Sequence, residues 1–176
     1  MGTLQKSIDR LFLDHSVSKL RQLAERIETC LGKLSEEQIW ARSNENENAI
    51  GNLVLHLCGN VRQWIIAGIG GRPDARERDA EFAARGGVGV AELARRLRQT
   101  VDEAIMVIET VTPTRLSQRL LIQQYDVTAL EAIYHVVEHF SMHTGQIIFA
   151  TKMLTGADLG FYQHLRSASP HSEKTP

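Results

Sequence analysis

The sequence predicts an all-α protein, a four-helix bundle. Three observations carry that expectation: apolar residues recur at alternating steps of three and four in four separate stretches, no stretch alternates convincingly as a strand, and no internal repeat is present. A chain of 176 residues suits one domain and can bury a full core without disulfides or a structural metal. That domain is expected over residues 1–165, with a disordered tail at 166–176.

Leu13, Val17, Leu20, Ala24, Ile27 and Leu31 mark the first helix, from about Leu4 to Leu31, with Gly32 as its cap. His15 falls opposite this stripe, toward solvent or a neighbouring subunit. Residues 34–43 make a connector with one short turn at 35–38, pinned by Trp40, and the polar run 44–48 supplies capping chemistry.

The second helix is expected from Asn48 to Ala67, with Ile50, Leu53, Val54, Leu57, Val61, Trp64 and Ile65 as its main apolar face. Along one margin, Asn52, His56 and Asn60 follow at steps of four, with Gln63 three further on. Such a stripe alone reads as the wet side of an amphipathic helix. Leu55, Cys58 and Ile66 lie on the other side, however, so solvent is not plainly where the stripe points. Cys58 reads as small core filler, since only Arg62 lies within one turn to favour a thiolate.

Residues 68–90 are too long for a simple helix–helix connection and read as a functional lid or a crossover spanning the bundle. Arg72, Arg76, Arg78 and Arg85 either meet an anionic substrate or, the stronger reading, pair with Asp74, Glu77, Asp79 and Glu81 on a solvated surface. A third helix follows at 90–110 on Leu93, Leu97, Val101, Ile105 and Ile108, and Pro113 prevents its continuation. After a second long connection at 111–127, the capping box Thr128-Ala-Leu-Glu131 opens a fourth helix that runs to Leu154, before Gly156. His164 and His171, beyond it, have no helical or apolar context and are not ligand candidates.

A formal net charge of −1 leaves no basic excess for gripping nucleic acid. Two cysteines outside any C-x-x-C arrangement fit a reducing compartment, and neither a signal-peptide pattern nor a membrane-length apolar run is present, so a cytoplasmic protein that avoids membranes is expected.

The fourth helix carries the chemistry. His135, His139 and His143 lie at steps of four among Ile133, Val136, Val137, Phe140, Ile147 and Ile148, on a helix apolar around most of its circumference and therefore expected to be buried. One buried histidine is ordinarily a satisfied core residue, but a ladder of three invites a metal, because neutral imidazole is a common ligand and an i, i+4 pair presents two nitrogens to one ion. The histidine margin of helix two can face this ladder across the core, which makes His56 the third ligand. Asn60 and Gln146, each one turn beyond a histidine, are placed to orient a bound molecule or to hold an imidazole N–H.

NLVLHLCGN on helix two and EHFSMHTGQI on helix four together resemble the DinB-like superfamily of metal-binding four-helix bundles. NAIGNLVLHLCGNVRQW, RDAEFAARGG and the stretch from YDVTALEAIYHVV to GADLGFY look like a bacterial subgroup with no assigned function. The likeness spans about Leu4 to His164 and is most specific where His139-x3-His143-Thr-Gly-Gln146 is similar to the family's His-x3-His-x-Gly-Gln. It implies His56, His139 and His143 as ligands and leaves His135 beside them. It further implies an up-down-down-up bundle with a long crossover between helices two and three, and often a homodimer. Superfamily members include thiol-dependent transferases and a thiol-dependent isomerase.

Two motif rivals are weaker. His135-Val-Val-Glu138-His139 fits the inverted zinc-protease signature, but the short helical chain lacks the remaining architecture. A ferritin-like di-metal site needs Glu-x-x-His, which is absent. The expected function is therefore a divalent-metal centre, with zinc, nickel or iron all acceptable, serving a transferase that uses a low-molecular-weight thiol against small electrophiles. The alternatives are a metal-dependent hydrolase and a non-catalytic metal-binding stress or interaction protein. The sequence offers only Glu138 as a nearby carboxylate, about 100° round the helix from His139.

Overall fold

The computed structural model describes residues 6–166. Four long helices dominate: α1 (Ile8–Leu31), α2 (Ile50–Val61), α4 (Val90–Glu109) and α6 (Ala129–Thr155). Shorter elements join them: α3 (Arg78–Ala83), α5 (Pro113–Leu116), the hairpin β1 (Arg119–Ile122) and β2 (Tyr125–Thr128), and α7 (Gln163–Arg166). The first turn expected from Leu4, His171 and all but the first residue of the expected tail lie outside the described residues; Arg166 closes α7.

α1 and α6 start at side-chain caps, whereas α2 and α4 start at Ala49 and Gly89, so the polar run 44–48 does not cap α2 as expected. Ser7 Oγ accepts from the Arg10 amide at the head of α1. At the head of α6, Thr128 Oγ1 accepts from the Glu131 amide at 3.2 Å while the Glu131 carboxylate accepts from the Thr128 amide at 2.6 Å. Gly156 ends α6 at φ 65°, a left-handed conformation that costs other residues a Cβ clash.

α2 does not stop at Ala67. It continues as a π-helical segment, Arg62–Ile69, closed by an i→i+5 bond from the Gly70 amide to the Ile65 carbonyl at 2.9 Å. The segment brings Gly68 against the hairpin, where an added Cβ would meet Ile122 Cδ1 at 2.5 Å. Only glycine allows that approach.

The hairpin corrects the expectation of a strandless chain. Arg119 pairs with Thr128 and Ile122 with Tyr125, around a two-residue turn in which Gln123 and Gln124 both have positive φ. Such turns normally announce themselves as Asn-Gly or Asp-Gly; two glutamines give no such signal.

α1 and α2 each pack against both α4 and α6, so one core lies among the four long helices. Phe140, Leu20, Ile27, Leu57, Leu97, Ile108, Ile133 and Ile147 are all fully buried there. α6 itself corrects a further expectation, because it is buried on one side only. Tyr134, Met142, Phe149 and Met153 are 54–71% exposed along its outer face. Conversely, Cys58 and Ile66, which the sequence left uncovered on α2, are buried within the chain. None of the helices among the described residues is long and apolar enough to cross a membrane.

Truncating the largest of the core side chains, Phe140→Ala, is expected to cost about 3–5 kcal/mol in urea unfolding, against about 1 kcal/mol for the cap change Thr128→Ala. Equal losses from the two would mean the core is not packed as described.

Candidate metal centre

α6 and α2 bring the histidines together because steps of four on each helix set polar margins facing one another. One ring nitrogen from each of His56, His139 and His143 lies within 4.8 Å of the others. His56 Nε2 and His139 Nε2 are 2.9 Å apart, and the His143 ring sits edge-on to both neighbours at 4.5 and 5.1 Å between centroids. Two bare lone pairs at 2.9 Å repel, so a proton or a cation belongs between them. Nitrogens around a tetrahedral zinc ion stand about 3.3 Å apart, a few tenths of an ångström beyond this spacing. The donor set fits a divalent transition metal.

The remaining ring nitrogens are tied down. His143 Nδ1 lies 2.6 Å from Gln146 Oε1, an acceptor, which places the proton on Nδ1 and leaves Nε2 with its lone pair. His56 Nδ1 lies 3.0 Å from Glu81 Oε2 and 3.1 Å from Arg76 Nη2. Two protonation patterns satisfy these distances. Either Nδ1–H donates to Glu81 and Nε2 is free, or Nδ1 accepts from Arg76 and Nε2–H donates to His139. A cation selects the first, which is the carboxylate–histidine–metal arrangement of many metalloproteins.

Glu81 corrects the reading of residues 68–90 as a solvated surface. Arg76 donates through Nε and Nη2 to the two Glu81 oxygens at 2.8 and 2.9 Å, and its side chain is 3% exposed. Arg76 Nη1 also donates to Gln63 Oε1 at 3.0 Å. Asn52 holds the strap from below, its amide donating to the carbonyls of Glu81 and Ala84 at 2.8 and 2.9 Å. Phe82 covers the His56 ring at 4.7 Å. Gly59 makes room for the carboxylate, since a Cβ there would meet Glu81 Oε1 at 1.8 Å.

Burial disfavours the charged form of two of the three imidazoles, His139 and His143. Burial, reinforced by His143, His56, His135 and Arg76, pushes the His139 pKa down to about 3. His143 is also lowered, by burial first and then by His56, against the upward pull of Gln146. For Glu81, burial pushes the pKa up, but the hydrogen bonds from Arg76 and His56 outweigh it, so the carboxyl falls below its usual range. Neutral imidazoles beside an ionised carboxylate are the forms that ligate and orient.

His135 is outside the ligand group but borders it: its ring stacks on His139 at 5.5 Å and lies tilted against Trp64 at 4.2 Å, and its Nε2 is 3.5 Å from Asn60 Nδ2. Asn60 Oδ1 is buried with no hydrogen-bond partner among the described residues. Glu138 is exposed, so the inverted zinc-protease pattern has neither its first ligand nor its base in place. His15 and His164 are exposed. Sequence reasoning named Glu81 only as a surface partner for an arginine; the pair with Arg76 is present, but the contact with His56, 25 positions away, has no periodic signal.

Comparison with known proteins adds the fold and the family. The sequence profile described as "Protein of unknown function (DUF1572)" matches residues 7–165. The structure is similar to that of a conserved protein from Enterococcus faecalis, with a TM-score of 0.70 and 16% identity over 87% of this chain and 100% of that one. It is similar also to a DinB-like protein from Bacillus subtilis, with a TM-score of 0.64 and 16% identity over 84% and 97% of the two chains. At such identities the likeness is one of fold. No functionally curated protein matches.

Two outcomes follow from the geometry. Glu81→Gln is expected to weaken metal binding about 10–100-fold in a competition titration, with helical circular dichroism unchanged. In the metal-free protein, His139 titrates near 3 when folded and near 6.5 when unfolded, so the unfolded state binds more protons between those values. Stability is therefore present above about pH 6.5 and declines as pH falls toward 3, as thermal melts across that range would register.

Proposed function

The chain belongs to the DUF1572 family of proteins of unknown function, with a DinB-like fold, and on that footing we propose that it is a divalent-metal-binding protein whose ligands are His56, His139 and His143. The observation that carries this reading is the pairing of two of the three imidazoles, through Nδ1, with Glu81 and Gln146, which frees the facing nitrogens. Asn60, His135 and Gln146 complete the surroundings in this proposal, Gln146 as the partner of His143 and Asn60 with an unpaired oxygen beside the cluster.

Three neutral ligands leave a bound divalent ion its full charge and an open position, where it lowers the pKa of water and ionises a thiol. The surrounding residues favour the thiol. Glu81 is committed to Arg76 and His56, and Glu138 is exposed, so neither carboxylate is placed as a general base for hydrolysis. A thiol needs no such base. We therefore favour a transferase that attacks small electrophiles with a low-molecular-weight thiol, over a metal-dependent hydrolase or a non-catalytic metal-binding stress protein. Zinc, nickel and iron all suit three imidazoles.

The proposal extends to the bundle. An up-down-down-up arrangement is supported by pairs along the helices: Arg98 with Glu28 and Arg21 with Glu109 run in opposite senses on α1 and α4. Arg62 with Glu103 and Gly70 beside Val107 run in the same sense on α2 and α4. His56 with His139 and Asn60 with His135 are opposed on α2 and α6. A cytoplasmic homodimer completes the reading, now resting on the outer face of α6, where Tyr134, Met142, Phe149 and Met153 are uncovered.

Elemental analysis of the purified protein is expected to find about one divalent transition metal per chain, lost in His143→Ala. Chelation is expected to leave helical circular dichroism intact; unfolding on chelation would reassign the ion to a structural role. Sedimentation at micromolar concentration is expected to give about 40 kDa, twice the 19.7 kDa chain, and Phe149→Glu to shift it to monomer. A monomer before mutation removes the dimer from this reading.

A further inference from the structure

A cleft of about 800 Å³ opens between α2, α4 and the strap at 72–81, a size within the roughly 300–1,000 Å³ of small-molecule sites. None of the three histidines lines it; Arg76 and Glu81 form the wall between it and them. Its floor is apolar, made by Leu55, Cys58 and Ile66. Burial raises the Cys58 pKa to about 11, so the thiol there is a neutral packing surface and not a nucleophile.

The lining balances five arginines against five carboxylates, and four of those carboxylates, Asp74, Glu81, Glu92 and Glu103, already accept from protein donors. Glu92 accepts from both Arg95 and Arg96, Glu103 accepts from Arg62 and Gln99, and Asp74 accepts from Gln63 and the Arg76 amide. Glu77 is the one lining carboxylate without a partner among the described residues. Against it stand three incompletely used guanidinium groups, each with five N–H donors. Arg62 and Arg96 are each engaged through a single nitrogen, and the Arg72 side chain has no partner among the described residues. At the inner end, the buried Thr100 hydroxyl lies against the Cys58 thiol. The other buried threonines, Thr144 and Thr151, return their hydroxyls to the carbonyl four residues back; Thr100 does not.

We propose that this cleft binds a small organic anion, its carboxylate or phosphate head held by Arg72 with the spare N–H groups of Arg62 and Arg96, and its short aliphatic body lying on Leu55, Cys58 and Ile66. The site is separate from the histidine cluster and does not depend on the metal reading. Unused guanidinium N–H groups above an apolar floor match both features of such a ligand, since a charge-assisted head contact supplies orientation and the body displaces water from the floor.

Isothermal titration calorimetry of the full chain tests this with octanoate, hexyl phosphate, octanamide and inorganic phosphate. Saturable millimolar or tighter binding is expected for octanoate or hexyl phosphate, and whichever is tighter identifies the head group. Octanamide and inorganic phosphate are each expected to bind at least about tenfold more weakly, because one lacks the charge and the other the body. Arg72→Ala, an exposed change that leaves circular dichroism unaltered, is expected to weaken the tighter anion about tenfold, and Thr100→Val to leave the fold intact while altering the binding enthalpy. Equal affinity for octanoate and octanamide, inorganic phosphate binding as tightly as the tighter organic anion, unchanged affinity in Arg72→Ala, or no saturable binding of either organic anion would overturn the proposal.

Discussion

Glu81 reaches His56 through a gap that Gly59 leaves open, and much of the molecule is arranged around that contact. An imidazole has two nitrogens, and only one can face a cation; the other must be given a partner or the ring will turn. Here the partner comes from a strap, and the strap has to be anchored. Arg76 neutralises the carboxylate, Gln63 holds Arg76, and Asn52 accepts the job of fixing the strap's carbonyls to α2. The polar margin Asn52, His56, Asn60, Gln63 is thus not a wet face. It is the seam along which the strap is fastened, with only Arg76 and Glu81 of its charged side chains turned inward.

A buried ion pair does not stabilise a fold by default, because desolvation of both charges offsets their attraction. Arg76 and Glu81 meet that cost with further hydrogen bonds to Gln63 and His56. The same pair separates the histidine cluster from the cleft on its other side. One ionic contact therefore orients the His56 ring on one side and lines the cleft on the other.

What was legible in the sequence was whatever repeats with a helical period. The apolar stripes of α1, α2 and α4, the Thr128 capping box, the Gly156 stop and the His135–His139–His143 ladder all depend on spacing along one helix, and the long helices lie close to where those signals put them. The contacts of Glu81 and Arg76 depend on chain reversal, which leaves no period. Their neighbours in sequence suggested local surface pairing instead. The hairpin escaped because Gln123 and Gln124 take left-handed conformations that favour other residue types. At α6 the apolar residues on nearly every face exceed what one core can cover, and Tyr134, Met142, Phe149 and Met153 face outward.

X-ray absorption on the protein loaded with zinc tests the proposed three-histidine site most directly. The account predicts three imidazole nitrogens at about 2.0–2.1 Å, with one further light-atom ligand and no sulfur from the protein. Fewer than three imidazoles, or a sulfur at about 2.3 Å in protein free of added thiol, would contradict it.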